Sequence, residues 1–140
     1  MTDKPEAIEV ARRWISKAEH DRTNAKHTLK LGSDCPFDTV CFHAQQYAEK
    51  YLKAILVMHL VHFPRIHDMV ELARLLPEGS ETGATGDELR LLSLYGVEGR
   101  YPETGEEPSR PEAEKALSIA DKIRSAARRQ LPSEVTGASD

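Results

Sequence analysis

An all-α protein, folded as an up-and-down antiparallel bundle of three long and two short helices, is what these 140 residues predict. Three observations carry that reading. Apolar residues recur at three- and four-residue intervals along most of the chain, the period of a helix with one buried face. No segment alternates apolar and polar residues as a half-buried strand does. Aromatic residues make up only 6% of the sequence, so the core must come from Leu, Ile, Val and Ala, a mixture that favours helices.

In the first segment Ile8, Ala11, Ile15, Ala18, Ala25 and Leu29 share one stripe, with Arg22 standing in it, and Gly32 supplies a C-terminal stop. The second begins after Pro36, with Asp38 or Thr39 as N-cap, and runs through Cys41, Ala44, Ala48, Leu52, Ile55 and His59 towards Pro64. At ~25 residues and 1.5 Å rise each it is nearly 40 Å long and the expected centre of the bundle. Asp68 followed by Glu71 resembles a capping box and opens a short helix through Leu76. Residues 77–86 read as a loop. A second short helix spans about Asp87 to Tyr95, and residues 99–111 form a polar loop punctuated by proline. The last helix starts at Pro111, with Glu112 and Glu114 at its positive end, and continues to about Leu131. Residues 1–131 are thus expected to form one domain, and residues 132–140 a disordered tail.

Composition excludes several classes. The charge sum, 19 basic against 23 acidic residues, gives −4, which disfavours a general nucleic-acid coat protein but leaves room for a local basic strip. Cys35 and Cys41 form neither a disulfide framework nor a CxxC pair, which fits a reduced, cytoplasmic setting. Residues 1–11 carry Asp3, Glu6 and Glu9 and no apolar run, so no secretory signal is expected there. The most apolar run, Ile55 to Phe63, is far short of the ~20 residues of a membrane span.

Two stretches carry candidate chemistry. On the second helix His43, Gln46, Lys50 and Lys53 fall on one strip beside the apolar stripe, while Gln45 and Glu49 form an i,i+4 pair and Glu49 reaches Lys53. A solvated face with stabilising pairs is the plain alternative for this strip, although two glutamines beside apolar residues need partners. Further on, Arg100 and Tyr101 in a Gly-flanked loop suit an anion or base clamp, the guanidinium for phosphate and the ring for stacking. A Tyr capping the bundle is the plain alternative there. The six histidines suggest no metal centre, because neither CxxC nor HExxH is present, and His59 on the apolar stripe reads as a core residue. Cys41 reads as a small buried hydrophobe rather than a nucleophile. No cofactor is predicted.

Taken together, Phe42-His43-Ala44-Gln45-Gln46-x-Ala48-Glu49-Lys50-x-Leu52-Lys53-Ala54, then His67-Asp68-x-x-x-Leu72, then Arg100-Tyr101-Pro102, resemble a HEPN domain. Ala18-Glu-x-Asp21 and Ala25 match that family's first helix, and the resemblance covers about residues 8–130. It implies a helical bundle that forms a homodimer, binds a nucleotide or RNA phosphate, and acts with a partner minimal nucleotidyltransferase in toxin–antitoxin or defence systems. The residues it points to for ligand contact are His43, Gln46, Lys50, Lys53, Arg100 and Tyr101. Metal-independent RNA cleavage and a non-catalytic dimeric adaptor are the alternatives. RNA-cleaving branches carry an Arg followed after four to six residues by a His near the last helix. Here no His follows His67, so the non-catalytic reading is favoured.

Overall fold

The computed structural model describes residues 4–96 and 107–137. Every regular element among them is helical: α1 (Lys4–Leu29), α2 (Phe37–Met58), α3 (Met69–Arg74), α4 (Gly86–Ser93), α5 (Arg110–Gln130) and α6 (Ser133–Thr136), with one 3-10 turn at Gly32–Asp34. None is long and apolar enough to cross a membrane.

Burial follows the predicted stripes. Ala11, Ile15, Ala18 and Ala25 of α1 face Ala44, Ala48, Leu52 and Ile55 of α2, and Ala116, Ile119, Ala120 and Ile123 of α5 close the other side. Alanines at so many contact positions let the helix axes approach closely, while Tyr47, Tyr51, Leu52 and Leu56 fill the remaining volume. Side-chain pairings fix the directions. Asp21 meets His43 whereas the earlier Glu19 meets the later Tyr51, so α1 and α2 run antiparallel. Lys26 meets Asp121 and Glu19 meets Arg124, so α1 also opposes α5. Tyr47 with Asp121 and Tyr51 with Arg128 make α2 and α5 parallel. The antiparallel expectation therefore holds for α1 against each neighbour but not between α2 and α5. The segment holding α3 and α4 carries the chain back to the end where α5 begins.

Element ends differ from the sequence reading in four places. Pro36, not Asp38 or Thr39, is the N-cap of α2, and the Asp38 carboxylate accepts from the Thr39 amide within the first turn. Helix α2 stops at Met58, because Leu60 adopts a left-handed φ of 56°; His59 is consequently the C-cap and exposed rather than in the core. Asp68 does cap α3, accepting from Val70 and Glu71, but Glu71 turns to Arg74 instead of completing a box. Full capping boxes occur at Thr85/Glu88 and Ser109/Glu112, opening α4 and α5. Past Pro132, where a disordered tail is expected, α6 makes one turn, buries Val135 and accepts from Arg12 through the Glu134 carbonyl.

Candidate functional site

The strip foreseen on α2 divides into two polar clusters with different partners. The first joins α2 to α1. Asp21, only 8% exposed, takes the His43 Nδ1 at 2.8 Å on one oxygen and the Lys50 ammonium at 2.5 Å on the other. Both side chains are thereby committed to a carboxylate at a helix seam, and neither is more than 22% exposed. The plain solvated face is not what forms here.

The second cluster centres on Glu49, which is 2% exposed. Lys53 donates to one carboxylate oxygen at 3.0 Å; Gln45 Nε2 and His67 Nδ1 approach the other, each at 2.9 Å. Gln45, fully buried, also donates to the His67 carbonyl and contacts the Met69 sulfur, and its own oxygen accepts from Gln46 at 2.7 Å. The partners these glutamines needed are supplied within the chain. Lys53 is 6% exposed, and its ammonium sits 5.2 Å from the Trp14 ring centroid and 5.7 Å from that of Phe63. A buried ammonium stays charged at tolerable cost only with such company. Lys53 is thus tied into the interior by Glu49 and by the two rings.

His67 links this cluster to the surface. Its side chain is 58% exposed, and it lines a solvent-open cavity of about 590 Å³ between α3 and α4. The wall also includes Asp68, Glu71, Arg74, Arg90, Ser93 and Gly96. The two guanidiniums enter from different helices and are more than 60% exposed. Each has an i−3 carboxylate for company, Glu71 for Arg74 and Asp87 for Arg90. Pairs this exposed contribute little and are easily exchanged for another anion. Ser93 is occupied structurally, accepting from the Met69 amide and donating to the Leu89 carbonyl, so it ties α3 to α4 and offers no nucleophile. Arg100, Tyr101 and Pro102 lie outside the described residues.

A third network stitches α1, α2 and α5 together. The Glu19 carboxylate accepts from Arg124 at 2.8 Å and from Tyr51, and Asp121 accepts from Tyr47 at 2.6 Å and from Lys26 at 3.1 Å. Burial alone would raise the Glu19 carboxyl, but the hydrogen bonds from Arg124 and Tyr51 outweigh it and hold it below the usual range. Arg22, the charge in the apolar stripe of α1, lies among these groups with its Nε buried and without a hydrogen-bond partner. Cys41 is fully buried, and burial pushes its thiol up to about 12, which leaves no thiolate for nucleophilic work. Among the described residues no group of His, Cys, Asp and Glu has the arrangement of a metal centre.

The model of the family described as HEPN domain matches residues 11–130. The chain is a HEPN domain protein. That match takes in most of α1, the whole of α2 and α5, both clusters on α2 and the cavity between α3 and α4. Among solved structures the chain is similar to TT1696 from Thermus thermophilus, at 30% identity and a TM-score of 0.73, with 86% of this chain and 98% of that one covered. It is also similar in fold to ST0689, an archaeal HEPN homologue, at 23% identity and a TM-score of 0.61, with 86% and 96% covered. No curated protein matches it.

Proposed function

We propose that this HEPN protein is a binding module for a nucleotide or an RNA phosphate, working as a homodimer beside a partner minimal nucleotidyltransferase of a toxin–antitoxin or defence system. The observation that supports it is the cavity between α3 and α4, where Arg74 and Arg90 flank His67 with only exposed, exchangeable carboxylates as competitors. Two guanidiniums from separate helices suit bidentate recognition of phosphate oxygens. Arg100 and Tyr101, a few residues along the chain from Gly96, are the residues to add a further cation and a stacking ring. Of the strip on α2, Gln46 belongs to the cluster behind the cavity. His43, Lys50 and Lys53 shape the scaffold through Asp21 and Glu49 and do not contact the ligand.

Binding of a fluorescent ATP analogue, followed by anisotropy, tests the placement. The Arg74→Ala, Arg90→Ala double variant is expected to weaken binding about tenfold or more, since each lost charge-assisted contact is worth roughly 1.5–3 kcal/mol. Lys50→Gln is expected to leave affinity within a factor of about two. Unchanged affinity in the double variant would sink the assignment of the cavity.

A further inference from the structure

The Glu49–His67 contact has a chemical consequence that phosphate binding alone does not require. A carboxylate can only accept, so the His67 Nδ1 that lies 2.9 Å from Glu49 must donate. In the neutral ring this leaves Nε2 as a lone pair, and no described residue bonds to it. Glu49 is buried, held by Lys53 on its other oxygen and by Gln45 on the oxygen that His67 meets, so the acceptor cannot swing away. The tautomer of a half-exposed histidine is therefore set from inside the core.

A phosphate oxygen is an acceptor as well, and it meets a neutral Nε2 as lone pair against lone pair. We infer that His67 takes up a proton on Nε2 when a phosphate group docks in the cavity, so that anion binding at this site is coupled to protonation of a histidine that Glu49 positions. This rests on the phosphate-binding reading of the same cavity and adds its regulation by pH.

The surrounding charges agree. Glu49 and Lys53 on α2 neutralise one another, so a proton on His67 leaves the trio with one net positive charge directed to the cavity. Asp68, next in the chain, gives its carboxylate to the Val70 and Glu71 amides at the start of α3. On α3 and α4, Glu71 is matched by Arg74 and Asp87 by Arg90. With those pairs balanced, the protein's anions near the imidazolium are Glu49, on its Nδ1 side and shared with Lys53, and Asp68, bound to amides, and an incoming phosphate supplies an anion on the Nε2 side. Reciprocity then requires that binding tighten as the pH falls.

The test is calorimetric titration of the whole protein with a uridine oligoribonucleotide lacking terminal phosphates, whose phosphodiesters do not titrate near neutrality. It is run in buffers of different protonation enthalpy, between about pH 6 and pH 8 where imidazoles change charge. The expected result is uptake of up to about one proton per site, with affinity falling by up to about tenfold per pH unit at the alkaline end. His67→Gln, which keeps a donor at the same place, is expected to bind with no proton uptake and a flat pH dependence. Nitrogen NMR of the free protein at alkaline pH is expected to show the Nδ1–H tautomer at His67. Binding without proton uptake, uptake persisting in His67→Gln, or an Nε2–H tautomer would each overturn the inference while leaving phosphate binding standing. If neither the oligonucleotide nor ATP binds at any pH in this range, the underlying reading falls and the coupling with it.

Discussion

Glu49 is the residue on which most of the chemistry converges, and its removal should show how costly an orphaned buried charge is. Glu49→Ala would leave the Lys53 ammonium in the Trp14–Phe63 enclosure without its carboxylate, at a cost of about 3–5 kcal/mol. Urea denaturation should show a much smaller loss for Glu49→Gln, Lys53→Met, which removes both charges together. Arg22 should behave oppositely. Its Nε is buried unpartnered in the apolar stripe, so Arg22→Leu is expected to leave stability unchanged within about 1 kcal/mol or raise it. A clear loss in the same denaturation experiment would mean that its contacts with Glu19 and Asp121 matter more than their lengths of 3.7 and 4.0 Å imply. Glu19 carries the acid dependence. Its carboxyl is held below the usual range, so its contribution is fully present above the unfolded carboxyl's pKa and is lost as the pH falls through the folded value. The melting-temperature gap between wild type and Glu19→Gln should therefore close at acid pH. Parts of this chemistry were legible in the sequence: the four-residue spacing of Gln45, Glu49 and Lys53 puts them within reach on any helix. The Glu49–His67 contact was not, because the two stand 18 residues apart across a turn whose path depends on the left-handed φ at Leu60.

At the scale of elements, the three long helices follow from apolar period alone, since each buries one face over many turns. Short elements lack that signal. One turn at Ser133–Thr136 has no period to read, and it exists because Val135 finds the core and Arg128 and Arg12 meet carbonyls of that turn. The capping boxes at Thr85 and Ser109 stand in the sequence as S/T-x-x-E patterns, whereas the Asp68–Glu71 pattern forms only half a box. Ser109→Ala should cost about 1 kcal/mol by urea denaturation. The loop before α4 is pinned more tightly than its composition suggests. Gln130 bonds both the amide and the carbonyl of Glu81, and Gly83, at φ 83°, lies so close to α5 that a Cβ would come within 2.6 Å of the Lys122 carbonyl. Gly83→Ala should therefore destabilise by about 1–3 kcal/mol, well beyond an exposed loop substitution.

For the whole molecule, the decisive arrangement is that α1 opposes both α2 and α5 while the α3–α4 segment brings the chain back between them. This return builds a cavity at one flank of α2 without disturbing the alanine-rich seam at the other. Such a layout could not be read from helix periods, which fix faces but not directions. The same packing encloses Cys41, so its labelling by a thiol reagent should proceed only through global opening and slow in proportion to stability. The most direct test of the account is an amide NMR titration of the protein with ATP. The account predicts shifts concentrated at His67, Arg74, Arg90, Ser93 and the residues following Gly96, with Asp21, His43 and Lys50 nearly silent. A spectrum unmoved at millimolar ATP, or shifts centred on the Asp21 cluster with the cavity silent, would contradict it.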